Sequence, residues 1–232
     1  MANAEGRGSA MMVMMVTGAG TPGLLFFLGS WTLMMVAMMF PSAAPMVRSF
    51  VALSRKGHAG SSARGIGESG VFLGAYVLVW TLFGVGIVAL YFLASPHVGA
   101  LASRGNMGVT IAGVVLLAAG VYQFTPLKRV CLKGCQSPLE FLLRRWRSGL
   151  KGAFSVGLRH ASFCVGCCWL LFIVLFAVGV MSLPWMAFLG VAIFAEKTFP
   201  RGDQVAHALG ALFMVTGAVF LALPSVGAGF LV

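Results

Sequence analysis

His160-Ala-Ser-Phe-Cys164-Val-Gly-Cys167-Cys168-Trp169-Leu-Leu-Phe-Ile-Val-Leu-Phe-Ala-Val-Gly-Val-Met181 runs without a single Asp, Glu, Lys or Arg. As a helix rising about 1.5 Å per residue it is roughly 33 Å long, enough to cross the hydrocarbon core of a bilayer. Three of the chain's five cysteines open it. Soft sulfur is uncommon at membrane depth, and here it is clustered. His160, Cys164 and then Cys167 or Cys168 are spaced i, i+4, i+7/i+8, so an imidazole and thiols share one helical face, with Cys168 about 12 Å along the axis from His160.

The same pattern recurs outward from this segment. Hydrophobic residues make up 59% of the 232-residue chain and charged residues 9%, and mean hydropathy is +0.97, well outside the range of a soluble domain. The reading is an all-α, polytopic transmembrane bundle of about six spans, near 24–47, 70–94, 107–127, 160–181, 183–198 and 205–223. The fifth is the shortest. Met181-Ser182-Leu183-Pro184 leaves room only for a tight hairpin between spans four and five. The expected organisation is an interfacial segment over 1–23, a bundle over 24–224 with a basic connection at 128–159, and a tail over 225–232. The apolar stretch Ala10 to Val16 is too short to cross and is broken by Gly18, Gly20, Pro22 and Gly23. It carries no basic n-region or Ala-x-Ala site of a secretory signal.

The net charge of +11 has a topological origin. Arg48, Arg55, Lys56 and Arg64 fall between spans one and two. Lys128, Arg129, Lys133, Arg144, Arg145, Arg147, Lys151 and Arg159 fall between three and four, and Lys197 and Arg201 between five and six. Only Arg7 and Arg104 lie elsewhere. Alternate connections thus carry the charge, which puts them on the cytoplasmic side of an inner or plasma membrane and both termini outside. Contact with anionic membrane lipid explains the basicity, with Arg129, Arg144 and Arg145 as candidate contacts; nucleic acid is not an expected partner. No P-loop, hydrolase triad or zincin motif is present, and a non-enzymatic role leads.

This topology brings all five cysteines to one end. Cys131 and Cys135 lie in the connection just past span three, and Cys164, Cys167 and Cys168 enter span four from the same side. The spacings Cys-x-x-Cys and Cys-x-x-x-Cys suit either a metal or a thiol-disulfide relay. Cytosolic thiols are held reduced, which favours Cu(I), with zinc as the borderline alternative. The bland reading is that they are small buried hydrophobes. Span one adds Met34, Met35, Met38 and Met39, two i, i+4 thioether pairs, with Met46 further on. Thioethers suit Cu(I) and are poor ligands for Mg(II) or Ca(II); flexible core packing is the alternative. Pro41 and Pro45 predict a kink that frees the carbonyls of Ala37 and Pro41. Glu196 is the one acidic residue expected at a span, either functional or in a helix-end ion pair with Lys197. Asp203 is the expected N-cap of the last span, with His207 one turn on.

Trp31 with Met34-Met35 and Met38-Met39, Pro41 and Pro45; Tyr122 with Thr125-Pro126-Leu127-Lys128, Cys131, Cys135 and Pro138; Gly157 with Cys164 and Gly166-Cys167-Cys168-Trp169; and Gly179-Val-Met181, Trp185-Met186 and Glu196-Lys197 together resemble the DUF2182 family. Members of that family are described as predicted metal-binding integral membrane proteins. The resemblance runs in order from span one to span six. It implies a metal site, and it departs from the pattern at Phe172, where methionine is expected, and at Ser182, where asparagine is expected. A thioether lost at Phe172 implies a reduced or altered site.

The leading expectation is a membrane protein that binds Cu(I) for transport, storage or delivery. Its candidate metal residues are Cys131, Cys135, Cys164, Cys167, Cys168, Met34, Met35, Met38, Met39, His160 and Glu196, and its candidate partner is a metallochaperone or a membrane cuproenzyme. Two other classes fit the same residues. One is a thiol-disulfide or quinone-linked oxidoreductase using Cys131 and Cys135 with Cys164 and Cys167. The other is a non-catalytic subunit of a larger membrane complex, packed through Gly74, Gly84, Gly86, Gly113, Gly120 and Gly210.

Overall fold

The computed structural model describes residues 20–57, 62–102, 107–178 and 183–230. Among these every regular element is a helix: α1 (Gly20–Gly57), α2 (Ser62–Ala102), α3 (Met107–Gln123), α4 (Pro126–Gln136), α5 (Pro138–Arg145), α6 (Gly149–Val178), α7 (Leu183–Thr198), α8 (Gly202–Ala222) and α9 (Pro224–Phe230). The stretch from Ala10 to Val16, Arg7, Arg104, and the Met181-Ser182 half of the hairpin lie outside the described residues.

The chain is a polytopic helical bundle. Among the described residues α1, α2, α6 and α8 are each long and apolar enough to cross a membrane, and α3 with α4 forms a fifth, bent by 67°. With 16 residues, α7 is about 24 Å long and falls short of a full crossing. The six level spans read from hydropathy therefore become four, one broken and one short.

The break in the third span is written locally. Proline at 126 lacks an N–H and disfavours a helical Thr125, which instead is extended (φ −72, ψ 147) and caps α4, its hydroxyl accepting from the Lys128 backbone N–H. The helix expected over 107–127 thus ends at Gln123. Cys131 and Cys135, placed by hydropathy in a connection, sit on a helix turned back against α6. In α1 the chain stays helical through Pro41 and Pro45. The Ser42 hydroxyl donates to the Met39 carbonyl and the Ser49 hydroxyl to that of Pro45, each at 2.9 Å. At the other end of the chain, the N-cap position of α8 is Arg201, without a side-chain cap. Asp203 sits in the first turn, where its charge meets the helix dipole.

Two kinds of packing hold the bundle. Between α3 and α8, backbones meet through paired glycines. A Cβ on Gly120 would lie 2.8 Å from the Gly210 carbonyl oxygen, and one on Gly217 would lie 2.7 Å from that of Gly113. Where α1 meets α2, the Trp31 indole lies over Gly84 and donates to the Trp80 carbonyl at 3.0 Å. Phe172 joins Trp31, Trp80 and Phe83 there, so the side chain standing in for an expected methionine is part of an aromatic cluster. Gly74 and Gly86 are exposed and have nothing close to where a Cβ would stand.

Candidate metal centre

Sulfur from three helices meets in the core. Cys164 and Cys167 of α6, Cys135 of α4 and Met39 of α1 are all buried in one cluster. The geometry follows from helical spacing. Lys128, Cys131, Leu132 and Cys135 share the buried face of α4, and that face lies on the thiol face of α6. Cys131 packs so closely against Gly166 that a Cβ there would be 2.8 Å from its sulfur. The thiols of Cys167 and Cys168 donate back to the Cys164 carbonyl at 3.1 and 2.8 Å.

Cys164 is the centre of this arrangement. Its Sγ is 3.1 Å from the Tyr76 hydroxyl of α2 and accepts from the Lys197 ammonium of α7 at 2.9 Å. The same ammonium is 3.8 Å from the Met39 sulfur. The four methionines of span one divide by face: Met35 and Met39 are fully buried, while Met34 and Met38 are half-buried on the flank of the core. Met46 belongs to a second cluster with Phe50, Phe72 and Phe141.

Glu196 does not pair with its sequence neighbour. Its carboxylate takes an ion pair from Lys128 at 2.7 Å and a hydrogen bond from the Gln123 amide at 3.0 Å, while its main-chain carbonyl accepts from Gln136 at 2.7 Å. Lys128 also donates to the Cys167 carbonyl. Gln123 closes α3 and Lys128 opens α4, so Glu196 holds both sides of the 67° break and ties α4 to α6 and α7. Both ions of this pair are 2% exposed or less.

His160 is buried one turn before Cys164, and neither of its ring nitrogens has a hydrogen-bond partner among the described residues. It stacks on Tyr76 and Phe72 with centroids 5.6 and 6.1 Å away. His207 stands elsewhere, stacked on Phe124 at 5.0 Å. Arg129 is exposed, Arg144 pairs with Glu140 on the surface, and Arg145 lies over the rings of Phe141 and Phe163.

Lys128, Lys197, Tyr76 and Gln123 surround the sulfurs. Sequence alone singles out neither Tyr76 nor Gln123, and hydropathy places both lysines in basic connections although the family resemblance includes them. The signal for Lys128 was its spacing of three and seven residues from Cys131 and Cys135. Glu196 is also not the only buried acid. Glu68 lies inside α2, buried, accepting from the Ser54 hydroxyl and the Gly149 backbone N–H, each at 3.0 Å.

The donor set suits a soft monovalent ion. Thiols and a thioether in a site without solvent favour Cu(I) over hard cations. Among the described residues no three Cys, His or acidic side chains are drawn up as a closed cage. The cause is local, since Cys167 and Cys168 are turned back toward the Cys164 carbonyl of their own helix. Rotation about χ1 is the only change needed to release either thiol from the Cys164 carbonyl. A family model, PpoB2, described as a copper chaperone, matches residues 28–220. No curated protein and no solved structure matches the chain.

Proposed function

We propose that this chain, which belongs to the PpoB2 copper-chaperone family, binds Cu(I) inside the membrane on Cys164, with Cys135, Cys167 and Met39 as its co-ligands, and hands it on. The observation that carries the reading is the Cys164 sulfur, which is met by side chains from α2 and α7, is buried in one cluster with Cys135 of α4 and lies one lysine away from a thioether of α1. Thioether donors favour Cu(I) over zinc. The resemblance to the DUF2182 family supports the same assignment at Cys164, Cys167 and Cys168.

The other candidates take graded parts. Cys131 and Cys168 flank the centre and offer thiols for exchange. His160 supplies an imidazole one turn along α6, and Met34, Met35 and Met38 form a weaker track along α1. Glu196, committed to Lys128, acts by fixing α4 and is not a ligand. The cargo passes between a soluble metallochaperone and a cuproenzyme in the same inner or plasma membrane, without redox chemistry at the thiols.

Copper content of the purified full chain tests this. Wild type loaded with Cu(I) under reducing conditions retains copper after desalting, and the Cys164→Ser/Cys167→Ser/Cys168→Ser variant loses it. Equal, negligible copper in both removes the proposal.

A further inference from the structure

Lys197 is a buried ammonium whose hydrogen-bond partners, among the described residues, are both sulfur: Cys164 Sγ at 2.9 Å and Met39 Sδ at 3.8 Å. A desolvated lysine ordinarily sits against a carboxylate, because an ammonium taken out of water loses its hydration and needs an opposite charge to replace it. The nearest carboxylate in sequence, Glu196, is taken by Lys128 and Gln123 instead. A monovalent cation is therefore held at the junction of the thiol of α6 and the thioether of α1, the point a two-helix Cu(I) site would occupy.

We infer that the Lys197 ammonium is a built-in placeholder for Cu(I), seated between Cys164 and Met39 when the metal is absent and displaced when it arrives. This rests on the proposed copper site and adds the means of release. The exchange balances: the N–H···S contacts break, Cu–S bonds form, copper stays Cu(I), the ammonium keeps its protons, and each thiol that takes up copper releases one proton. The Cys164 sulfur trades one monovalent cation for another.

The displaced group has a destination. Lys197 lies in the last turn of α7, next to its final residue, Thr198. Carbonyls left without partners at a helix C-terminus attract cations, and a four-carbon stem lets the head group reach them and the interface. The contact with Met39 is long for a hydrogen bond, so the ammonium is held mainly by Cys164. Such a seat keeps the Cys164 and Met39 sulfurs apart in the metal-free protein and competes with copper in the loaded one, which suits a carrier that must let go.

The test uses purified full-length protein in lipid nanodiscs, with Cu(I) supplied by a chromophoric chelator. Lys197→Leu removes the charge and adds no copper ligand. It should bind Cu(I) tighter and release it more slowly by roughly ten- to a hundredfold, the equivalent of the charge-assisted hydrogen bond copper has to break. Lys197→Arg, a bulkier cation, should bind more weakly than Lys197→Leu. A second measurement needs no variant: labelling of the Lys197 amine in wild type by an amine-directed reagent, read by mass spectrometry, should rise severalfold on Cu(I) loading. If wild type takes up Cu(I) but labelling is unchanged and Lys197→Leu gains nothing or binds less, the placeholder is overturned while the copper site stands. Wild type that takes up no Cu(I) ends both.

Discussion

The α3–α8 seam and the α4–α6–α7 centre solve the same problem, joining helices inside a bilayer, in opposite ways. At the seam, Gly113 and Gly120 meet Gly210 and Gly217 backbone to backbone in close packing. At the centre, an ion pair, Gln123 and a lysine on sulfur are buried together, with the half-buried Gln136 at their edge. Packing alone was available there too. The difference teaches that the centre's polar groups serve something other than cohesion, because a buried ion pair is weak ground for stability unless its geometry is also used. Here the geometry sets the angle of α4 and so the place of Cys131 and Cys135.

The sharpest way to break the comparison is to strand one ion. Glu196→Ala leaves Lys128 buried and unpaired, and should cost about 3–5 kcal/mol or prevent folding altogether. Lys128→Met/Glu196→Leu, which removes both charges, should recover much of that loss in thermal unfolding of the detergent-solubilised protein. A Glu196→Ala protein as stable as wild type means that the pair contributes nothing to the break between α3 and α4.

The seam predicts a smaller effect from added bulk. Gly120→Val puts a branched side chain where a Cβ alone would already lie 2.6 Å from Met214 and 2.8 Å from the Gly210 oxygen. The cost should be about 1–3 kcal/mol, as for an overpacked core. Gly74→Ala, at an exposed position with open space, serves as the control and should leave the unfolding midpoint unchanged or slightly raised. Equal loss at both positions contradicts the assignment of α3 and α8 as the close pair.

Hydropathy made the bundle legible because uncharged runs of bilayer length admit few other readings. The short α7 was legible as the shortest span, and its length of 16 residues matches the run from 183 to 198. The third span starts where hydropathy puts it and ends four residues early for a physical reason: Phe124 and Leu127 prolong the apolar character, and only Thr125-Pro126 reveals the turn. The cysteines could be brought to one end from topology, but not onto each other, since that depends on the direction α4 takes after a 67° bend. Lys128 and Lys197 were lost to the rule that basic residues mark connections. That rule counts charges along the chain and cannot register which ones a helix break folds inward. Among the methionines, spacing offers two equivalent pairs, and burial in the folded bundle separates Met35 and Met39 from Met34 and Met38.

That last division gives the smallest effect and the finest test of how the centre uses α1. Met39→Leu keeps the volume and removes the thioether, so its cost in stability should stay below about 1.5 kcal/mol. Met34→Leu, on the half-buried flank, should cost no more. Their copper binding should differ, because only Met39 reaches the cation seat at Cys164. Chelator competition should find Met39→Leu weaker for Cu(I) by about tenfold, the worth of roughly 1.4 kcal/mol of binding, and Met34→Leu indistinguishable from wild type. Were the two to weaken copper equally, α1 would act as a uniform methionine track; were neither to do so, the site would be made of thiols alone, and Met39 would serve the centre only as packing against Lys197.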